Sequence, residues 1–251
     1  MQALNLSTNQ LRYLVRLSNN RSFRKKEQKA FVEGENVVNQ ILEYKKEIIE
    51  YLVVSDNYLT KPSCKVYLAS NIAIQRLSSY STGFTVAALI NTKVLDSTSV
   101  PPDLKGLYVG LVDIQDPGNI GTIFRTCLAF NIKGIFLMGS CAYPLTTKVI
   151  QASTGAVFRI PFYKISSAEE LKEKFQNRIY GTSLSAEKTY KNIDIKDGIV
   201  LFGNEGQGLS KSILNSTEYN INIPIENIDS LNVGVSVGII CSWLFESGNK
   251  V

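Results

Sequence analysis

In the second half of this chain, short apolar runs recur between helical patterns, and that alternation permits few architectures. Residues 107–112, 135–138, 158–163, 178–182, 199–202 and 219–223 are short runs built largely of apolar and β-branched residues. Residues 119–130 and 168–176 carry helical spacing between them. Parallel strands need crossover connections, so this order predicts a mostly parallel α/β sheet covered by helices on both faces. Ligands in such sheets sit at the strand ends. Two polar, glycine-containing turns follow strands there: GNEGQG at 203–208 and IPIENIDSLNV at 223–233.

The first half reads as a smaller α/β unit. Strands are expected at 31–34, 48–54, 66–68 and 84–90, and helices at 9–17, 35–44 and 71–77. The stretch DSTSVPPDLK holds the one Pro-Pro pair and marks a linker, which gives domains over 1–95 and 105–251 joined by 96–104.

Charge separates the two halves. Residues 1–95 carry 13 Lys and Arg against 7 Asp and Glu, whereas 96–251 carry 14 against 15. The excess concentrates in Arg12–Lys29, where seven basic residues face only Glu27. A basic segment of this kind attracts polyanions, so Arg21, Arg24, Lys25, Lys26 and Lys29 are candidate phosphate contacts.

Several classes of function are excluded. The chain has no histidine, which removes Ser-His-Asp and Cys-His machinery and histidine-based metal sites. Cys64, Cys127, Cys141 and Cys241 show no C-x-x-C pairing and read as core residues of a reducing, cytoplasmic compartment. The longest nearly apolar run, 233–245, is too short for a bilayer span. The basic first 26 residues resemble a transit segment only faintly, since Leu11, Leu14, Val15 and Leu17 form one face of a helix.

Three stretches carry candidate chemistry. In DPGNIGTIFRTCLAF, residues 116–130, Asn119 reads as an N-cap, Ile120, Ile123, Phe124, Cys127 and Leu128 form one apolar stripe, and Arg125 lies on the opposite face. GNEGQG lacks the spacing of a dinucleotide fingerprint or a P-loop, but Glu205 at a strand end needs a partner, for which Arg125 is the candidate. Ser230 or Asn232 suits the cap of a following segment whose pattern fits strand and helix alike. Gly234 and Gly238 suit close packing of another backbone.

In order, spacing and residue identity, these stretches resemble the three motifs of the SpoU (TrmH-type) RNA ribose methyltransferases of the SPOUT superfamily. The similarity covers residues 104–251, and RSFRKKEQKAFVEG at 21–34 gives the first domain a looser resemblance to the family's L7Ae-like substrate-binding domain. The resemblance implies a deep trefoil knot, a homodimer and no metal. It implies S-adenosylmethionine held by Thr182, Gly203, Asn204, Gly206, Ile223, Ile225, Leu231 and Asn232. It places Asn119, Arg125, Glu205, Ser230 and Asn232 at the catalytic centre, for methyl transfer to a ribose 2′-hydroxyl of rRNA, or next of tRNA. A guanidinium stays protonated in proteins, so clamping a phosphate or stabilising an alkoxide suits Arg125 better than acting as a base. The competing reading is a non-catalytic RNA-binding protein that keeps the fold.

Overall fold

The computed structural model describes residues 4–58, 64–79, 81–96 and 99–248. The chain forms two compact units, Met1–Ser97 with Leu145–Arg159, and Thr98–Pro144 with Ile160–Val251.

The first unit is built on β1 (Leu4–Asn5), β2 (Lys29–Glu33), β3 (Ile49–Val54), β4 (Val66–Leu68) and β5 (Val86–Asn91), in the order β1-β4-β3-β5-β2. β5 runs antiparallel to both β2 and β3, and the remaining pairs are parallel. Its helices are α1 (Thr8–Asn19), α2 (Arg21–Glu27), α3 (Glu35–Tyr44), α4 (Asn71–Leu77) and α5 (Lys93–Asp96). Ser7 caps α1 in a capping box with Gln10, and Leu14 and Leu17 of α1 are fully buried with Phe31, Val53 and Leu89 of the sheet. The basic stretch, to which the sequence pattern assigns no regular element, is helical over Arg21–Glu27. Asn20 caps α2 through the Phe23 amide, and Gln28 ends it in the left-handed conformation. The expected linker has no regular element after Asp96; Ser97 and Thr98 lie outside the described residues.

The second unit holds seven strands, all parallel: β6 (Leu107–Val112), β7 (Ile135–Met138), β8 (Phe162–Ile165), β9 (Ile179–Thr182), β10 (Lys188–Thr189), β11 (Gly198–Phe202) and β12 (Tyr219–Asn222), ordered β10-β12-β9-β11-β6-β7-β8. Helices α6 (Pro117–Ala129), α8 (Ala168–Phe175), α9 (Lys211–Leu214) and α10 (Val233–Gly248) belong to it. Burial of both sheet faces explains the continuous apolar strands, with every residue of β7 and β11 buried. Tyr108, Phe136 and Phe175 pack edge to face over one side. On α6, the fully buried Phe124 packs edge to face on Phe162; a phenyl so placed is worth about 3–5 kcal/mol against alanine.

Two expectations need correction here. The cap of α6 is Asp116, whose side chain accepts from the Asn119 amide at 2.8 Å, because Pro117 takes the first helical position. The stretch 145–159, expected in the second domain, belongs to the first unit. It contains α7 (Thr147–Ala152) and the turn Ala156–Phe158, which contact β2 and α3 respectively. Val149, Ile150, Val157 and Phe158 are buried, and Arg159 lies 3.9 Å over the Tyr44 ring.

The ambiguous segment after residue 232 is helical. Val233, Val237, Ile240, Cys241 and Leu244 of α10 form its buried stripe against α6. A side chain at Gly234 would meet Thr122 Cγ2 at 3.3 Å, and one at Gly238 would meet Thr126 Cγ2 at 4.0 Å. These two glycines thus lie where α10 packs against α6.

Candidate active site

β12, β9 and β11 are neighbours in the sheet, and their C-terminal ends open one cleft of about 460 Å³. Its walls come from Thr182 with residues 183–185, from the turn 203–209, and from the segment 221–236 that leads into α10.

Each wall is locked by hydrogen bonds that its sequence allows. At the end of β9, Thr182 Oγ1 donates to the Leu201 carbonyl at 2.9 Å, and the Ser183 amide donates to the Ile221 carbonyl at 2.9 Å. At the end of β11 the turn folds back so closely that a Cβ on Gly203 would lie 2.2 Å from the Gly208 carbonyl carbon. Gly208, at φ +65°, completes the turn and donates to the Asn204 carbonyl at 2.8 Å. Asn204 is committed to scaffolding: its Nδ2 donates to the Asp113 carbonyl at 3.1 Å, and its Oδ1 accepts from the Gly206 amide at 2.9 Å. Asp113 in turn accepts from the Ser140 amide at 2.7 Å and sits at φ +56°. After β12, Asn222 Nδ2 donates to the Ala186 carbonyl and ties the 183–187 loop to the cleft wall.

The three motif stretches meet through side chains. Asn232 Oδ1 accepts from the amides of Gly234 at 2.9 Å and Val235 at 3.4 Å, capping α10. Its Nδ2 donates to Asn119 Oδ1 at 2.9 Å, and Asn119 Nδ2 donates to Glu205 Oε1. A run of amides thus joins the start of α10, the first turn of α6 and the turn after β11, across 113 and 86 residues of sequence.

Of the residues expected to hold the cofactor, Thr182, Gly203, Asn204, Gly206, Ile223, Ile225 and Leu231 line the cleft, as do Glu205 and Ser230 from the catalytic set. Asn119 and Asn232 stand behind it and reach Glu205 through the amide run. Arg125 is exposed on α6 and makes no hydrogen bond or ion pair among the described residues. Glu205 Oε1 accepts from Asn119, and no ion pair joins Glu205 to Arg125 among the described residues. Leu184, Asp229 and Ser236 also line the cleft without having been anticipated. Leu184 follows a strand end by two residues, and that position was the available signal.

On the basic segment the five expected phosphate contacts divide. Arg21, Lys25 and Lys26 are exposed. Arg24 donates to the Leu17 and Ser18 carbonyls at 2.8 and 2.6 Å, where burial, and then the Arg21 charge, lower its pKa. Lys29 pairs with Glu50 at 2.8 Å. Arg16 lies 4.2 Å over the Phe23 ring. No group of acidic, cysteine or histidine side chains suited to a metal ion occurs among the described residues, and none of their helices is long and apolar enough to cross a membrane.

The model of the SpoU rRNA Methylase family matches residues 106–242. A tRNA/rRNA methyltransferase of Synechocystis sp., itself uncharacterized, is 38% identical over 145 residues, 56% of this chain and 53% of the relative. The 23S rRNA (guanosine(2553)-2′-O)-methyltransferase of Bacillus subtilis is 28% identical over 217 residues, 83% of this chain and 85% of the relative. A SpoU methyltransferase of Streptomyces viridochromogenes, solved in complex with the cofactor AdoMet, shares the fold with a TM-score of 0.81 at 21% identity, covering 96% of this chain and 98% of that one. The alignments span 53–64% of the first three curated relatives, so the similarity covers little more than half their length.

Proposed function

We propose, because this chain belongs to the SpoU rRNA methylase family, that it transfers the methyl group of S-adenosylmethionine to a ribose 2′-hydroxyl of RNA, rRNA first and tRNA next. The observation that carries this reading is the run of amides from Asn232 through Asn119 to Glu205, which links all three motif stretches at Glu205 on the cleft wall.

The cleft suits the cofactor by volume and by chemistry. About 460 Å³ lies within the range of pockets that enclose a small organic ligand. Leu184, Ile223, Ile225 and Leu231 offer apolar surface to an adenosine, and the turns at 203–208 and 223–231 offer backbone groups to its polar edges. The charged side chains in the lining are Glu205 and Asp229, with no cation, which favours a ligand bearing a sulfonium and an ammonium. When bound, that cofactor supplies an activated methyl group with a neutral leaving group, so no metal is required.

Each of the chain's own groups then has a task. Asn119 and Asn232 hold Glu205 at the cleft wall. Arg125 presents an exposed guanidinium, so it clamps a phosphate or stabilises a developing alkoxide. Arg21, Lys25 and Lys26 grip further phosphates from the first unit, which takes the part of an L7Ae-like substrate-binding domain. The 2′-hydroxyl makes the substrate RNA and not DNA. The C-terminal segment is knotted as in its family. The protein works as a cytoplasmic homodimer, which the exposed Val235 and Phe245 of α10 support.

The test is transfer of labelled methyl from S-adenosylmethionine to rRNA or tRNA from cells without this gene. Label should be recovered in nucleotides whose 3′ linkage resists alkali, the mark of a blocked 2′-hydroxyl. Protein that binds the RNA and the cofactor but methylates neither RNA class would overturn the reading.

A further inference from the structure

We infer that Glu205 is the group that takes the proton of the ribose 2′-hydroxyl; this rests on the methyltransferase reading above. The chain contains no histidine, and among the described residues lining the cleft there is no lysine, arginine, cysteine or tyrosine. Arg125, on the neighbouring helix, does not line the cleft. Two groups remain in the lining that can accept a proton, the carboxylates of Glu205 and Asp229.

Hydrogen bonding separates these two. The α10 amides fix Asn232 Oδ1, which aims its Nδ2 at Asn119 Oδ1 and leaves Asn119 Nδ2 to donate to Glu205 Oε1. Both amides are oriented by partners that can only donate or only accept, so Glu205 Oε1 is held by a donor in a fixed position. Glu205 Oε2 has no partner among the described residues, and it stays open as an acceptor. No comparable run of donors reaches Asp229 among the described residues.

The step balances. A lone pair of the 2′-oxygen forms the new C–O bond, the methyl–sulfur bonding pair leaves with sulfur, and the hydroxyl proton passes to Glu205 Oε2. A sulfonium and a carboxylate become a neutral thioether and a neutral carboxylic acid, which solvent then deprotonates. No oxidant, metal or further reactant enters.

The variant is Glu205→Gln, which can still accept from Asn119 but has far weaker basicity. Single-turnover methylation of rRNA, followed across pH, should fall about 10²- to 10⁴-fold, as for loss of a general base. The decline of the wild-type rate at acid pH should disappear from what remains. A second measurement needs no turnover. Calorimetry should show wild type preferring the sulfonium cofactor over its neutral demethylated product, S-adenosylhomocysteine, by more than the variant does. Retained binding of either nucleoside also reports that the variant is folded. A variant rate within about threefold of wild type, or an acid limb that persists in Glu205→Gln and vanishes in Asp229→Asn, overturns the assignment while leaving the methyltransferase intact. Wild-type protein that binds both ligands and methylates nothing defeats the underlying reading, and this one with it.

Discussion

Replacing Gly203 with alanine should open the turn after β11 and weaken cofactor binding, while the same change at Gly206 should be tolerated structurally. A Cβ at position 203 would lie 2.2 Å from the Gly208 carbonyl carbon and 2.4 Å from the Leu209 nitrogen, whereas ordinary contact begins near 3.4 Å. The backbone must therefore give way by about 1.2 Å, and no rotamer can relieve it because both neighbours are main chain. That shift strains the 2.8 Å bond from the Gly208 amide to the Asn204 carbonyl, along with the bonds by which Asn204 spans Asp113 and Gly206. Overpacking of this kind costs about 1–3 kcal/mol, which for a protein of this size lowers the melting temperature by roughly 2–12 °C. Since the displaced turn is a wall of the cleft, S-adenosylmethionine affinity should fall about tenfold for each 1.4 kcal/mol lost from the bound geometry. At Gly206 the nearest atom to a new Cβ is Asn204 Oδ1 at 3.4 Å, an ordinary contact. Scanning calorimetry and titration calorimetry of the pair decide the matter. A Gly203→Ala protein that melts within 1 °C of wild type and binds cofactor equally well would refute the steric account.

Arg125→Ala should abolish methyl transfer yet leave cofactor affinity within about twofold, because Arg125 does not line the cleft; equilibrium dialysis alongside the transfer assay separates the two effects. Replacing Arg21, Lys25 and Lys26 together with alanine should lower the slope of log affinity for RNA against log salt by about 2–3. Arg24→Ala should instead lower thermal stability, since its guanidinium holds two α1 carbonyls. Burial pushes the Tyr51 hydroxyl up to about 12, above its ordinary value near 10. The folded state thus keeps a proton that the unfolded chain has released. Stability is full below pH 10 and declines between about pH 10 and 12, and Tyr51→Phe should flatten that alkaline loss in urea titrations.

Much of the second unit was legible because each signal there was local. The stripe Ile120, Ile123, Phe124 and Cys127 is buried as its spacing predicted, and the turns at 203–208 and 223–233 lie at strand ends where a ligand is expected. What stayed hidden depended on neighbours. The adjacency of β12, β9 and β11, which makes the two turns and Thr182 walls of one cleft, follows from packing and not from periodicity. Asn119 reads as a cap by residue type, but Pro117 sets the helix start two residues earlier and frees the Asn119 side chain for Glu205. Lys29 and Arg24 look like their exposed neighbours in the sequence, and only Glu50 and the end of α1 commit them elsewhere. The segment after residue 232 satisfied two periods at once, and contact with α6 selected the helix.

The stretch 145–159 bears on how such a protein can be rearranged by recombination. Its first unit is not a bead at one end of the string, because the apolar side chains of α7 and the following turn cover β2 and α3 from the middle of the other unit's sequence. A gene fragment cut at the linker would carry α3 without that cover, and the remaining fragment would carry Val149, Ile150, Val157 and Phe158 with nothing to bury them. Exchange of the first unit between relatives therefore has to bring this distant insertion along.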